Sequence, residues 1–372
     1  MPKPTFPLRE NVLDFEPYSP GMNIDEIRER YQLENIIKLA SNENPLGTSP
    51  VVQKRLSKAA DQSFRYVQAG TPKLTKALAS FLNVPENSLV VGNGSDEIID
   101  LIIRTCPTPG VHNVVACRPS FSMYRLQAKL CDVEFKTVPL KDDFSFDWQG
   151  LLDTIDHNTA LVFVTTPDNP SGYCPPLSAM RAFIEKIPPH CLVVVDEAYV
   201  EFCDDPQCGS SLRFFNEFPN LAILRTFSKI GGLAGIRLGY GILPLALAKA
   251  IAAVKPPFSV NVLAQEAGLA IIEDKVFLEK TFQTVQEGRR FLTQSLEGLG
   301  CKVFPSQTNF LMFALPKECV KTAKQVFEDL LTHGIIIRPL NSYALPDYLR
   351  VTVGTASENT AFITSLAEVM HD

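Results

Sequence analysis

CLVVVDEAY, Cys191–Tyr199, holds the most β-branched run of this 372-residue chain and closes it with an acidic pair and a tyrosine. A strand with one wet face alternates apolar and polar residues. An unbroken run is covered on both sides, which marks a mainly parallel sheet sandwiched by helices. Upstream, the nearly unbroken run Ala160–Thr165 breaks into TPDNPSG (Thr166–Gly172). Downstream, Ala222–Leu224 leads into RTFSKIGGLAGIRLGY (Arg225–Tyr240). Farther out, strands at Ser88–Val91, Asn113–Ala116 and Val133–Val138 alternate with helical patterns at Pro50–Asp61, Pro72–Phe81, Pro119–Leu130 and Leu177–Ile187. In such sheets ligands lie beyond the carboxyl ends of the strands. Asn169, Asp196 and Lys229 all fall there, so one pocket can collect them.

Lys229 follows Ser228 and precedes a glycine-rich turn, with Arg237 eight positions on. A lysine becomes a nucleophile when burial or a cationic neighbour lowers its pKa. Ser228 and Arg237 are good anion ligands, and an arginine grips a phosphate with two parallel N–H bonds. A second anion cradle lies at GNGSDE (Gly92–Glu97), where a strand meets a helix N-terminus with Ser95 as the expected N-cap. It is not the dinucleotide fingerprint, because Glu97 stands at the third glycine position. Lysine, hydroxyl, arginine and a tight turn suit an aldehyde cofactor that carries a phosphate. Asp196 is placed to keep a pyridine nitrogen protonated. Asn169 and Tyr199 are donors for a ring hydroxyl, and Phe121 an aromatic lid.

Hydrophobic content of 45% and charged content of 20% describe a water-soluble protein with an ample core. The formal charge of −6 argues against a nucleic-acid partner. Nine cysteines without a CxxC pair read as free thiols in a reducing compartment, and no metal site is expected. The N-terminus is proline-broken and no run approaches membrane-spanning length, so a cytoplasmic protein is expected.

Three parts are expected. Residues 1–35, with a short helix near Ile24–Tyr31, form an arm packing on a small domain; 36–255 form the large domain. Residues 256–372 form the smaller α+β domain. Ile36–Ala40 reads as a strand before the loop SNENPLG (Ser41–Gly47). After Pro257 a long helical stretch, Ser259–Leu296, precedes short strands at Cys301–Phe304, Phe310–Ala314, Ile335–Arg338 and Leu349–Val353.

The chain resembles the fold-type I pyridoxal-phosphate enzymes, in the aminotransferase class that includes histidinol-phosphate aminotransferases. The resemblance spans nearly the whole length. It rests on KLASNENPLG (Lys38–Gly47), YVQAGTPKL (Tyr66–Leu74), GNGSDEIID (Gly92–Asp100), TPDNPSG, VVDEAYVEF (Val194–Phe202), TFSKIGGLAGIRLGY (Thr226–Tyr240) and LRVTVGT (Leu349–Thr355). It implies that Lys229 carries the Schiff base to pyridoxal 5'-phosphate and moves the proton between Cα and the cofactor's C4′. Asp196 then pairs with the ring nitrogen, Asn169 and Tyr199 bond the ring oxygen, and Phe121 stacks on the ring where many relatives have tyrosine. Ser228, Arg237 and the backbone at Ser95 and Asp96 hold the phosphate, joined by Tyr66 from the second subunit of a homodimer. Arg350 is similar to the family's substrate-anion arginine; Arg338, Tyr18 and Asn42 resemble further substrate-pocket residues. PLNSYALPDYL (Pro339–Leu349) matches loosely. The implied reaction is ping-pong amino transfer between glutamate and imidazole-acetol phosphate, in histidine biosynthesis. An aromatic amino-acid aminotransferase and a threonine-phosphate decarboxylase would use the same machinery.

Overall fold

The computed structural model describes residues 6–13, 15 and 22–371. The apolar runs form a seven-stranded sheet: β1 (Leu89–Gly92), β2 (Asn113–Arg118), β3 (Glu134–Pro139), β4 (Thr159–Thr165), β5 (Leu192–Asp196), β6 (Leu221–Thr226) and β7 (Gly239–Ile242). Its order is β1-β7-β6-β5-β4-β2-β3, and only β7 runs antiparallel to its neighbours. Successive residues of each strand enter opposite cores. Val193 and Val195 face the helices Pro72–Leu82, Leu177–Lys186 and Val262–Glu273, whereas Val194 faces Ser95–Thr105 and Ser122–Leu130. Both faces are dry, which is why the run CLVVV carries no polar break. Each fully buried Val or Leu there contributes about 1.5–3 kcal/mol. The strand centres are therefore rigid, and side chains at their carboxyl ends are held in fixed directions.

The second body is a four-stranded antiparallel sheet of β8 (Lys302–Val303), β9 (Phe310–Ala314), β10 (Arg338–Pro339) and β11 (Tyr348–Thr352), in the order β10-β11-β9-β8. Helices Ala323–Thr332 and Ala356–His371 cover it with the C-terminal part of Lys275–Gly298.

Several boundaries differ from the sequence reading. The long helical stretch is two helices, broken at Asp274, whose carboxylate accepts from the Phe277 N–H at 3.1 Å and starts the second helix. The first, Val262–Glu273, packs with the large sheet's core through Ala264, Ala267, Ala270 and Ile271. It thus packs on the large sheet while lying within the stretch 256–372 expected for the small domain. The expected strand Ile36–Ala40 is only Ile37–Lys38. It pairs in parallel with Ile335–Ile336, and Leu39 is buried in the small body's core. The arm also divides. Ile27 packs with Ala40, Leu331 and Ile336, while the short helix Glu10–Leu13 meets Ser122–Leu130, Asn11 Nδ2 donating to the Lys129 carbonyl at 2.6 Å. Among the described residues no helix is long and apolar enough to cross a membrane.

Candidate active site

β4, β5 and β6 end side by side, and the turns after them line one cavity of about 150 Å³. Asp196 ends β5 and is 3% exposed. Its carboxylate accepts from the Tyr124 hydroxyl at 2.7 Å and from the Ala198 N–H at 3.2 Å. Burial pushes this carboxyl up to about 6 against the pull of both donors. Tyr124 is fully buried, stacks on Phe163 at 4.3 Å between centroids, and shares a 2.8 Å hydrogen bond with Thr165. Phe121, on the cavity wall, meets Tyr124 edge-on at 5.7 Å. Sequence reasoning missed Tyr124, although it sits three positions after Phe121 at a helix start, the spacing that puts two side chains on one face.

Lys229, beyond β6, donates from Nζ to the Ser41 carbonyl at 3.3 Å and lies 5.7 Å from the centre of the Tyr199 ring. Burial, then the positive charge of Arg350, brings the amine down to about 8, against Glu43 and Asp96. Between β5 and β6 a buried ion pair fixes the strand ends. Glu197, fully buried, accepts from Arg225 Nε and Nη2 at 3.1 and 3.0 Å and from the Ser211 N–H at 2.6 Å.

The turn after β4 brings Asn169 to the cavity wall, where its side-chain oxygen accepts from Arg350 Nη1. Asp168 holds the turn from inside, accepting from the Ser171 N–H and hydroxyl at 3.1 and 2.6 Å. Tyr199 is 4% exposed and accepts from Asn42 Nδ2 at 2.9 Å.

At the opposite wall stand Ser95, Asp96, Ser228 and Arg237. Gly94, not Ser95, is the N-cap: its φ of 78° suits glycine, and Ser95 becomes the first helical residue. Arg237 Nη2 donates to Asp96 at 3.1 Å. A Cβ at Gly94 would lie 2.6 Å from Arg237 Nη2, and one at Gly239 would lie 2.4 Å from the Ser95 nitrogen. The cradle exists because both side chains are absent.

Four expected residues lie outside this cavity's wall. Asn42 stands behind Tyr199, its N–H donating to Thr352 Oγ1 at 2.9 Å. Arg350 stands behind Asn169, 6% exposed, donating to the Ala40 carbonyl at 3.1 Å over the Phe310 ring. Its Nε is a buried donor with no hydrogen-bond partner among the described residues. Arg338 is in register with Arg350 across β10 and β11 but lines a separate cleft of about 360 Å³ that shares Phe121. Tyr66 is 86% exposed, its ring 4.8 Å from that of Phe258. Tyr18 lies outside the described residues. Among those residues no His, Cys, Asp and Glu cluster can hold a metal.

A family model, aminotransferase class I and II, matches residues 34–366. That is the class which the covered parallel sheet and its strand-end lysine define. The histidinol-phosphate aminotransferase of Nitratidesulfovibrio vulgaris strain Hildenborough is 55% identical over 363 residues, 98% of this chain and 96% of its own length. That of Oleidesulfovibrio alaskensis is 52% identical over 370 residues, 100% of this chain and 97% of its own. The solved structure of the histidinol-phosphate aminotransferase from Sinorhizobium meliloti in complex with pyridoxal-5'-phosphate is similar with a TM-score of 0.88. It is 25% identical and covers 98% of this chain and 97% of that one. The chain belongs to the class I and II aminotransferases and, within them, to the histidinol-phosphate aminotransferase family.

Proposed function

We propose that the protein is a pyridoxal 5'-phosphate enzyme that moves an amino group between glutamate and histidinol phosphate, as a cytoplasmic homodimer in histidine biosynthesis. One observation carries the reading: the Lys229 amine, down at about 8, shares a cavity with the buried carboxyl of Asp196 and an anion cradle. The donor set fits the cofactor. The strongest influences on Asp196 are burial and two hydrogen-bond donors, with no cation among them, and a pyridinium N–H would supply that charge. Ser228, Arg237, Ser95 and the N-terminal N–H groups at Ser95 and Asp96 would hold the phosphate, with the partner subunit's Tyr66. Asn169 and Tyr199 would bond the ring oxygen, and Phe121 would cover the ring.

When bound, the cofactor supplies an aldehyde that takes up the amino group and a ring that withdraws electrons from the donor's Cα. Lys229 would hold it through its amine and would be the group that moves the proton between the substrate's Cα and the cofactor's C4′. Asp196 keeps the ring nitrogen protonated. Arg350 receives the glutamate carboxylate, and the phosphate of the second substrate takes the same place. A phosphate dianion has three acceptor oxygens and about one more charge than a carboxylate, which Arg338 meets with Tyr18, while Asn42 supports the substrate side from behind Tyr199.

Half-reactions followed through the cofactor's absorbance test this. Losing a charge-assisted contact in a partly buried site costs ~2–5 kcal/mol, roughly 30-fold or more. Arg338→Gln should lose that much in kcat/KM for histidinol phosphate and little for glutamate, whereas Arg350→Gln damages both. Equal losses on Arg338→Gln, or a wild type that prefers phenylalanine, would move the reading to an aromatic aminotransferase.

A further inference from the structure

All nine cysteines are free thiols, and three of them gather where the segments following Asn169 and Tyr199 meet. Cys174 closes the turn that begins after β4, five positions beyond Asn169. Cys203 caps the short 3₁₀ turn Val200–Phe202, four positions beyond Tyr199. The two Sγ atoms lie 3.8 Å apart. Both residues are partly exposed, in contrast to Cys117, Cys191 and Cys301, which are buried singly. Cys208, buried next to the pair, donates to the Cys174 carbonyl at 3.5 Å. We propose that Cys174 and Cys203 are a site of reversible two-electron oxidation, forming a disulfide that ties the turn carrying Asn169 to the turn carrying Tyr199.

The geometry supports the bond. A disulfide has its sulfurs about 2.05 Å apart, so the pair must close by less than the diameter of one atom. Both residues sit in irregular segments after strand ends, where a side-chain rotation and a small backbone shift cost little. The attacking species is a thiolate. Cys174 is the better nucleophile, since hydrogen bonds from the Cys203 thiol and then from Thr166 bring it down to about 7, whereas Cys203 is pushed far up. With hydrogen peroxide as oxidant the balance is simple. The Cys174 thiolate attacks one peroxide oxygen, giving a sulfenic acid and hydroxide. The Cys203 thiol then displaces water from that sulfur to form the S–S bond. Two thiols lose two electrons and two protons, and the peroxide becomes two waters. The S–S bond fixes the distance between the turns that carry Asn169 and Tyr199, the two side chains that meet Arg350 and Asn42.

The test treats the holoenzyme with a small excess of peroxide, blocks remaining thiols, and maps peptides by mass. The expected result is a loss of 2 Da per chain and one cross-linked species joining the Cys174 and Cys203 peptides. Aminotransferase activity should fall several-fold and return with dithiothreitol. Cys203→Ser should abolish both cross-link and reversible loss, whereas Cys208→Ser should keep them. A cross-link from Cys174 to Cys208, sulfinic acid at Cys174 without any cross-link, or unchanged behaviour of Cys203→Ser would overturn the proposal.

Discussion

At Lys229, burial and the guanidinium of Arg350 disfavour the ammonium, Glu43 and Asp96 favour it, and the balance lies near 8. In the cofactor-free protein, the unfolded chain therefore holds more protons on this lysine than the folded one between about 8 and the ordinary 10.5. Stability from this group rises with pH across that window. Chemistry follows the same sign, because only the neutral amine attacks a carbonyl. Capture of pyridoxal phosphate, trapped by borohydride and located by peptide mapping, should rise about tenfold per pH unit below 8, flatten above it, and label Lys229 alone. Lys229→Ala should fold and trap nothing. Arg350→Gln removes a like charge, so the midpoint should move to higher pH. A midpoint that stays or falls would mean that Arg350 does not act on this amine. Asp196 shows the opposite case, since burial raises a carboxyl and Tyr124 with the Ala198 N–H pulls it back.

Strand β7 shows what the sequence could and could not disclose about elements. Continuous apolar runs made β2, β4, β5 and β6 legible, because both faces of those strands are dry. GYGI has two glycines and no such run, and it pairs antiparallel between β1 and β6, so periodicity gave no sign of it. The helices Trp148–Thr154 and Leu245–Val254 were missed as well, the first for its shortness. The cavity's lining was largely readable, since Asn169, Asp196 and Lys229 follow neighbouring strands. Tyr124 and Asp168 were not, because their roles lie in what they hold. The glycine in β7 has a use that shows only in space: a Cβ at Gly239 would press on the Ser95 backbone, which has no flexible side chain to yield. Overpacking of this kind costs typically 1–3 kcal/mol. Gly239→Ala should lower the unfolding free energy read from denaturant titration by that amount and weaken cofactor affinity through the displaced helix start. Gly235→Ala, with nothing within 4 Å of the added Cβ among the described residues, should stay within about 0.5 kcal/mol of wild type. Equal behaviour of the two variants would remove Gly239 from the cradle.

Across the whole molecule, the small body reaches into the large one. Arg350 from β11 bonds Asn169, and Arg289 ties the long helix to the Phe202 and Thr308 carbonyls at 3.2 and 2.8 Å. One chain still leaves much apolar surface open. Phe64, Tyr66, Phe81 and Phe258 are 75%, 86%, 50% and 45% exposed, and a groove of about 450 Å³ runs past Phe227, Ile230 and Phe282. Under the proposed homodimer, these side chains are where a second copy of this chain would sit. Under that reading, each cavity takes Lys229 from one subunit and Tyr66 from the other. Lys229→Ala and Tyr66→Ala homodimers should both be folded, the first dead and the second strongly impaired. Dissociated, mixed and reassociated, half of the dimers become heterodimers if pairing is random. In each, one site carries both substitutions and the other carries neither, so activity should return toward roughly a quarter of wild type per total chain. Subunit exchange is read separately by mass spectrometry of differently tagged chains. Exchange without recovered activity would place Tyr66 in its own subunit's site or outside the reaction.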